Sequence, residues 1–188
     1  MKIGYFLSCE EFGPVELVEQ AVKAQRAGFQ DLWISDHFHP WNDAQGHGSF
    51  VWSTIGAIAR AAPGMGVGGR RVPPPGDGDS EQRAKETVHR VWPNEALPGE
   101  LAQVLPTPEH FEQACQLVSV EAATESVPCG PDLDRHLEAI RAYEGAGFDE
   151  LYVQQIGPHQ DAFFDAYREH VLPRLRSGDR PLSQAGGR

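Results

Sequence analysis

One pattern occurs twice in this chain and restricts its fold more than any other. Ala21-Val22-Lys23-Ala24-Gln25-Arg26-Ala27-Gly28-Phe29-Gln30-Asp31-Leu32-Trp33-Ile34 is matched in kind by Ala139-Ile140-Arg141-Ala142-Tyr143-Glu144-Gly145-Ala146-Gly147-Phe148-Asp149-Glu150-Leu151-Tyr152-Val153, with one extra residue in the second copy. Each copy is a helix, then Ala-Gly-Phe, then an acid, then an apolar strand. The glycine ends the helix, where left-handed backbone is favoured, and the phenylalanine packs the turn under the sheet. Repeated helix-to-strand units imply a parallel sheet with helices outside it. The commonest closed form of such a sheet is a barrel.

The remaining elements fit this reading. Lys2 to Ser8 reads as a first strand. Pro14 opens a helix, as proline does at a first turn, with Leu17, Val18, Ala21, Val22 and Ala24 as its buried stripe. Asp31 to Ser35 is a second strand and Phe50 to Ala62 a second helix. Met65-Gly66-Val67-Gly68 begins a third strand. Residues 69–80 then form an irregular joint around Pro73-Pro74-Pro75, which neither a helix nor a central strand tolerates. Asp79 or Ser80 caps a helix reaching about Trp92, and Leu97 to Leu105 and Pro108 to Ala123 are further helices. Ser126 to Cys129 is a short strand, Pro131 to Ala146 a helix and Glu150 to Gln155 a strand. A last helix starts at Pro158 or Asp161 and reaches about Leu175. Residues 1–176 read as one domain, and 177–188 as a disordered tail.

The chemistry concentrates where the second strand ends, in Leu32-Trp33-Ile34-Ser35-Asp36-His37-Phe38-His39-Pro40-Trp41. A buried parallel strand would put this polar end at the carboxyl edge of the sheet, where α/β folds carry their sites. Asp36 and His37 would face a pocket mouth and Trp41 would wall it. The plainer reading is a helix-start loop with satisfied polar side chains.

Composition excludes several functions. The formal net charge of −11 argues against a nucleic-acid partner, which needs a cationic face, and against an anionic membrane surface. No stretch approaches the about 20 apolar residues of a membrane helix. The apolar run at the N-terminus is too short for a signal peptide, so the expected location is cytoplasmic. Cys9, Cys115 and Cys129 are odd in number and lack metal-ligand spacing, which suits free thiols in a reducing compartment. Cys9 has no evident base partner and reads as a buried spectator. His37, His39 and His47 have no acid or cysteine at a recognised ligand spacing, so no metal is expected. His39 reads as exposed loop and His47 as pocket rim. Gly157-Pro158-His159-Gln160 is either an anion site after the last strand or a plain turn.

A resemblance rests on Lys2-Ile3-Gly4-Tyr5, Glu11-Phe12-Gly13-Pro14, Ser35-Asp36-His37-Phe38-His39-Pro40-Trp41 and Gly46-His47. In the back half it rests on Trp92 to Glu100, Val127 to Asp132 and Gln154 to Pro158. On these residues the chain resembles the luciferase-like monooxygenase superfamily, in its branch of F420-dependent oxidoreductases similar to F420-dependent glucose-6-phosphate dehydrogenase. The resemblance implies a barrel with coenzyme F420, rather than FMN, across the carboxyl ends of its strands. It implies Asp36 at the deazaflavin, His37 as the catalytic residue that takes the proton from a substrate hydroxyl as hydride leaves, and Trp41 beside the reacting carbon. Histidine as a residue type titrates near working pH and suits that role. The substrate would be a small hydroxylated molecule, with sugar phosphates among the candidates, and the cofactor would carry the hard step.

The resemblance also implies what is missing. A complete barrel needs about 250 residues, and the family pattern stops near Gly69 and resumes near Ser80. The absent piece holds the middle strands and the glycine-rich segment with the family's glutamate proton donor. The expected fold is therefore α/β: a truncated TIM-type (β/α) barrel with a parallel sheet of about five strands and outer helices. The first and last strands should still lie side by side. The open inner face would be met by self-association into a homo-oligomer, or covered by the helices of Ser80 to Ala123. A non-catalytic remnant of the fold and an open-sheet protein binding another small ligand are the competing readings.

Overall fold

The computed structural model describes residues 1–67 and 80–177. The joint expected at 69–80 and the tail expected at 177–188 lie outside the described residues, apart from Ser80 and Ser177. The first half contains β1 (Lys2–Leu7), α1 (Pro14–Ala27), β2 (Asp31–Ile34), α2 (Val51–Ala61) and β3 (Gly66–Val67). After the joint come α3 (Glu81–Val91), a 3-10 turn (Pro93–Ala96) and the short helices α4 (Leu101–Val104), α5 (Pro108–Cys115) and α6 (Val120–Thr124). They are followed by α7 (Leu133–Gly145), β4 (Glu150–Val153), α8 (Gln160–Ala166), a π turn (Tyr167–Val171) and α9 (Leu172–Arg176).

The strands form a parallel sheet in the order β3-β2-β1-β4. The last strand lies beside the first, with Lys2 opposite Glu150 and Tyr5 opposite Val153. Parallel neighbours need crossovers, and α1 and α2 supply them between β1, β2 and β3. Local chemistry sets the helix limits. Glu16 accepts the Gly13 N–H at the start of α1, and Gly28 ends it with φ 97°, its N–H returning to Ala24 and Gln25. The Ser80 hydroxyl accepts the Arg83 N–H and starts α3. Asp132 accepts from Asp134 and Arg135 and starts α7.

Alternation along β1 sends Ile3, Tyr5 and Leu7 into the main core with Leu17, Ala21 and Ala24 of α1, Leu137 and Ile140 of α7, and Phe163, Phe164 and Tyr167. The opposite face carries Phe6, Trp33 and Tyr152 in ring contact. Gly4 belongs to that face, where a Cβ would collide with the Tyr152 ring. A second core joins Trp41 and Ile156, beyond the ends of β2 and β4, to Ala84, Val88, Val91, Trp92 and Phe111. Helices from the expected covering segment thus pack over the carboxyl end of the sheet.

Three expectations change. The sheet has four strands among the described residues, not about five, because Ser126 to Cys129 is no strand: only Cys129 makes a single bridge. Pro128 removes a ladder donor and Gly130 turns with φ 93°, so extension cannot continue there. The helix expected from Pro108 to Ala123 is two, since Ser119 caps α6 by accepting the Ala122 N–H. The two phenylalanines of the repeat also differ: Phe29 is 3% exposed in the core, while Phe148 is 41% exposed.

Candidate active site

The exits of β1 and β2 are stitched together first by the backbone. The Ser35 N–H donates to the Leu7 carbonyl at 3.1 Å, and the Cys9 N–H donates to the Ser35 hydroxyl oxygen at 2.9 Å. Glu10 sits behind them, 1% exposed. Its Oε2 accepts from the Ser8 hydroxyl at 2.8 Å and from the Ser35 hydroxyl at 2.6 Å. Its Oε1 has no hydrogen-bond partner among the described residues and lies 3.4 Å from His37 Nε2. A buried carboxylate oxygen facing an imidazole nitrogen favours a proton on that nitrogen.

Trp41 packs edge-on against His37, ring centres 4.6 Å apart, and against Phe111 at 5.0 Å. Its main-chain N–H donates to the Gln45 side-chain oxygen, and the amides of Gln45 and Asn42 donate to the Val91 carbonyl. These bonds fix the loop after β2 to the end of α3. The buried Trp41 Nε1–H has no acceptor among the described residues. The loop after β2 thus brings the His37 and Trp41 rings into contact. Asp36 is exposed and takes no part in the hydrogen bonds of this cluster. It reaches the site through charge: burial, then Glu10, then Asp36 push the Cys9 thiol up to about 12, which leaves it unreactive near neutral pH.

The next residue, Glu11, does for β4 what Glu10 does for β2. Its Oε1 accepts the Gly157 N–H at 2.6 Å, and its Oε2 accepts from Trp92 Nε1 at 3.0 Å and Gln154 Nε2 at 3.4 Å. Burial raises its carboxyl to about 7, with Glu10 adding to the rise and the three donors opposing it. In the sequence Glu11 contributes to the resemblance, and neither acid stands out as a site residue. The available signal was two consecutive acids directly after a strand that points at a polar edge.

Other candidates resolve differently. The Gly157 N–H, the natural donor for an anion in the loop after β4, is already committed to Glu11. Gln160 is buried and pins that loop, accepting from the Tyr5 hydroxyl at 2.6 Å and donating to the Gln155 and Gly157 carbonyls at 3.0 Å. His39 Nδ1 contacts the Pro40 carbonyl and His47 is exposed. Among the described residues no three His, Cys, Asp or Glu side chains are grouped to hold a metal. All three cysteines are buried and none forms a disulfide.

No family profile matches the chain. It is 40% identical over 68 residues to the F420-dependent glucose-6-phosphate dehydrogenase of Amycolatopsis mediterranei, covering 36% of this chain and 20% of that protein. It is 46% identical over 57 residues to the enzyme of the same name from Intrasporangium calvum, covering 30% and 17%. Against the F420-dependent hydroxymycolic acid dehydrogenase of Mycobacterium tuberculosis it is 41% identical over 59 residues, covering 31% and 16%. The matched stretch thus spans a fifth or less of each relative's length. In three dimensions the chain is similar to an F420-dependent secondary alcohol dehydrogenase solved with an F420-acetone adduct. That similarity has a TM-score of 0.78 at 14% identity and covers 93% of this chain and 99% of that one, which speaks to fold. In about a third of its sequence this chain is similar to F420-dependent dehydrogenases, and nearly end to end it shares the α/β fold of one of them.

Proposed function

We propose that this chain is an F420-dependent oxidoreductase that moves hydride between a small hydroxylated substrate and the deazaflavin. The observation that carries the proposal is the Glu10–His37–Trp41 cluster at the adjoining carboxyl ends of β1 and β2. The residues present suit the reacting end of such a cofactor. A buried indole N–H stands without an acceptor beside a half-exposed imidazole backed by a carboxylate. When bound, F420 supplies a carbon that accepts hydride.

The chain's own residues supply the proton chemistry. Glu10, held by two serine hydroxyls, keeps the His37 Nε2 proton and stabilises the ring once it is charged. His37 Nδ1 takes the hydroxyl proton of the substrate. Trp41 walls the site and excludes water beside the imidazole. Asp36, exposed next to His37 in the chain, would contact the cofactor. The partners are small molecules, with glucose 6-phosphate and secondary alcohols the first substrates to assay. Three buried cysteines outside any disulfide fit a cytoplasmic setting.

Fluorescence titration with F420 tests the reading. Binding that weakens at least tenfold in Asp36→Ala, with turnover lost in His37→Ala, is expected. A folded sample that does not bind at high micromolar F420 overturns it. The two sheet edges left unpaired among the described residues and the 99%-exposed Phe38 favour one alternative, a self-associating module that retains part of the fold without catalysis. Light scattering would then find an oligomer without cofactor binding.

A further inference from the structure

Glu11 joins three segments at the carboxyl edge: its own loop after β1, the end of α3 through Trp92, and the exit of β4 through Gly157 and Gln154. Two of its three bonds are short, and the Gln154 bond, at 3.4 Å, is long. The other end of the same amide, Gln154 Oε1, is buried without any donor among the described residues. A buried acceptor beside a carboxylate that can give it nothing is a costly arrangement. A protonated Glu11 has an O–H to offer. Half a turn of the amide then brings its oxygen to that O–H, since the two ends of a glutamine side chain occupy the same space.

We propose that Glu11 is a positioning residue which holds the β4 exit against the β1 exit, and that it exchanges one proton in doing so, the Gln154 amide turning over with each exchange. As a carboxylate it accepts from Gly157, Trp92 and Gln154. As an acid it keeps Gly157 and Trp92 and donates to Gln154 Oε1. Burial puts the exchange in the neutral range. Two ionisable groups act across the site, the Glu10 carboxylate, which favours the acid form, and the Tyr5 phenol. The groups that bond Glu11 are uncharged. Along the facing segments, the acids, bases and imidazoles within three positions of Trp92, Gln154 and Gly157 are His89, Arg90, Glu95 and His159. Because Glu10 faces His37, the proton on Glu11 sets how much negative charge stands behind the candidate base.

The test is the indole N–H resonance of Trp92 in nitrogen-correlated NMR spectra of the full chain, identified by its absence in Trp92→Phe. From about pH 5 to about pH 9 it is expected to move in one step with a midpoint near 7. The Gln154 side-chain amide should move with the same midpoint in the same wild-type spectra. Glu11→Gln should abolish the step, and Glu10→Gln should shift it to lower pH. A Trp92 resonance that does not titrate, a step that survives Glu11→Gln, or a Trp92 step without a Gln154 step overturns the proposal. No cofactor is needed, so the outcome is independent of the F420 reading.

Discussion

The two copies of the helix-turn-strand repeat share local geometry and differ in what surrounds them. Gly28 and Gly147 both turn with positive φ, 97° and 88°. The Phe29 and Phe148 amides both reach back to the helix, to Ala24 and Tyr143. Around the first copy the chain returns: Phe29 meets Tyr5, Phe163, Phe164 and Tyr167, and the Arg176 guanidinium donates to the Gly28 carbonyl. Around the second, Gly147 has open space and Phe148 touches Tyr143. β2 lies inside the sheet between β3 and β1, whereas β4 is its edge. The turn is therefore encoded locally, and its burial depends on whether another element arrives to cover it.

The sharpest way to break this comparison is Phe29→Ala. It should lower the unfolding free energy by about 3–5 kcal/mol, as truncation of a buried aromatic does, read from urea melts. Equal losses for Phe29→Ala and Phe148→Ala would end the distinction. The exits of the two units sharpen it further, since Glu10 holds the first and Glu11 the second. The Glu11 carboxyl is raised from 4.5 to about 7, so the folded state binds its proton more tightly than the unfolded chain does. Its contribution is full below about pH 4.5 and is lost as pH rises through about 7, on the order of 3 kcal/mol in all. Glu11→Gln should remove that part of the pH slope, checked by urea midpoints at about pH 5 and about pH 8. Gly28→Ala and Gly147→Ala should each cost about 1–2 kcal/mol for the left-handed backbone. Gly28 should cost more, because a Cβ there comes within 3.0 Å of Arg176. Phe148→Ser should change stability by less than about 0.5 kcal/mol.

Much of this was legible in the sequence, and the omissions have physical causes. Pro14 and Gly28 bracket a helix because one suits a first turn and the other a left-handed end, both local properties. The side-by-side placement of β1 and β4 follows from the repeat and the resemblance together. Pro128 was legible too, since proline lacks the donor that a ladder needs. Ser119 looked like helix interior, because a serine becomes a cap only once its side chain accepts a backbone N–H. The exposure of Phe148 depends on a neighbour that the local sequence does not contain. His37 and Trp41 were legible as candidates because five consecutive residues of one loop, 37–41, hold both. Glu10 and Glu11 were missed as site residues because their partners, Ser35, His37, Trp92, Gln154 and Gly157, are distant in the chain and meet only in the fold.

Glu10 and Glu11 follow one another at the end of the central strand. A slide of that strand along its axis, even by a fraction of an ångström, would draw on the histidine loop and the Gly157 loop in the same instant. The two loops at this end of the sheet share one anchor.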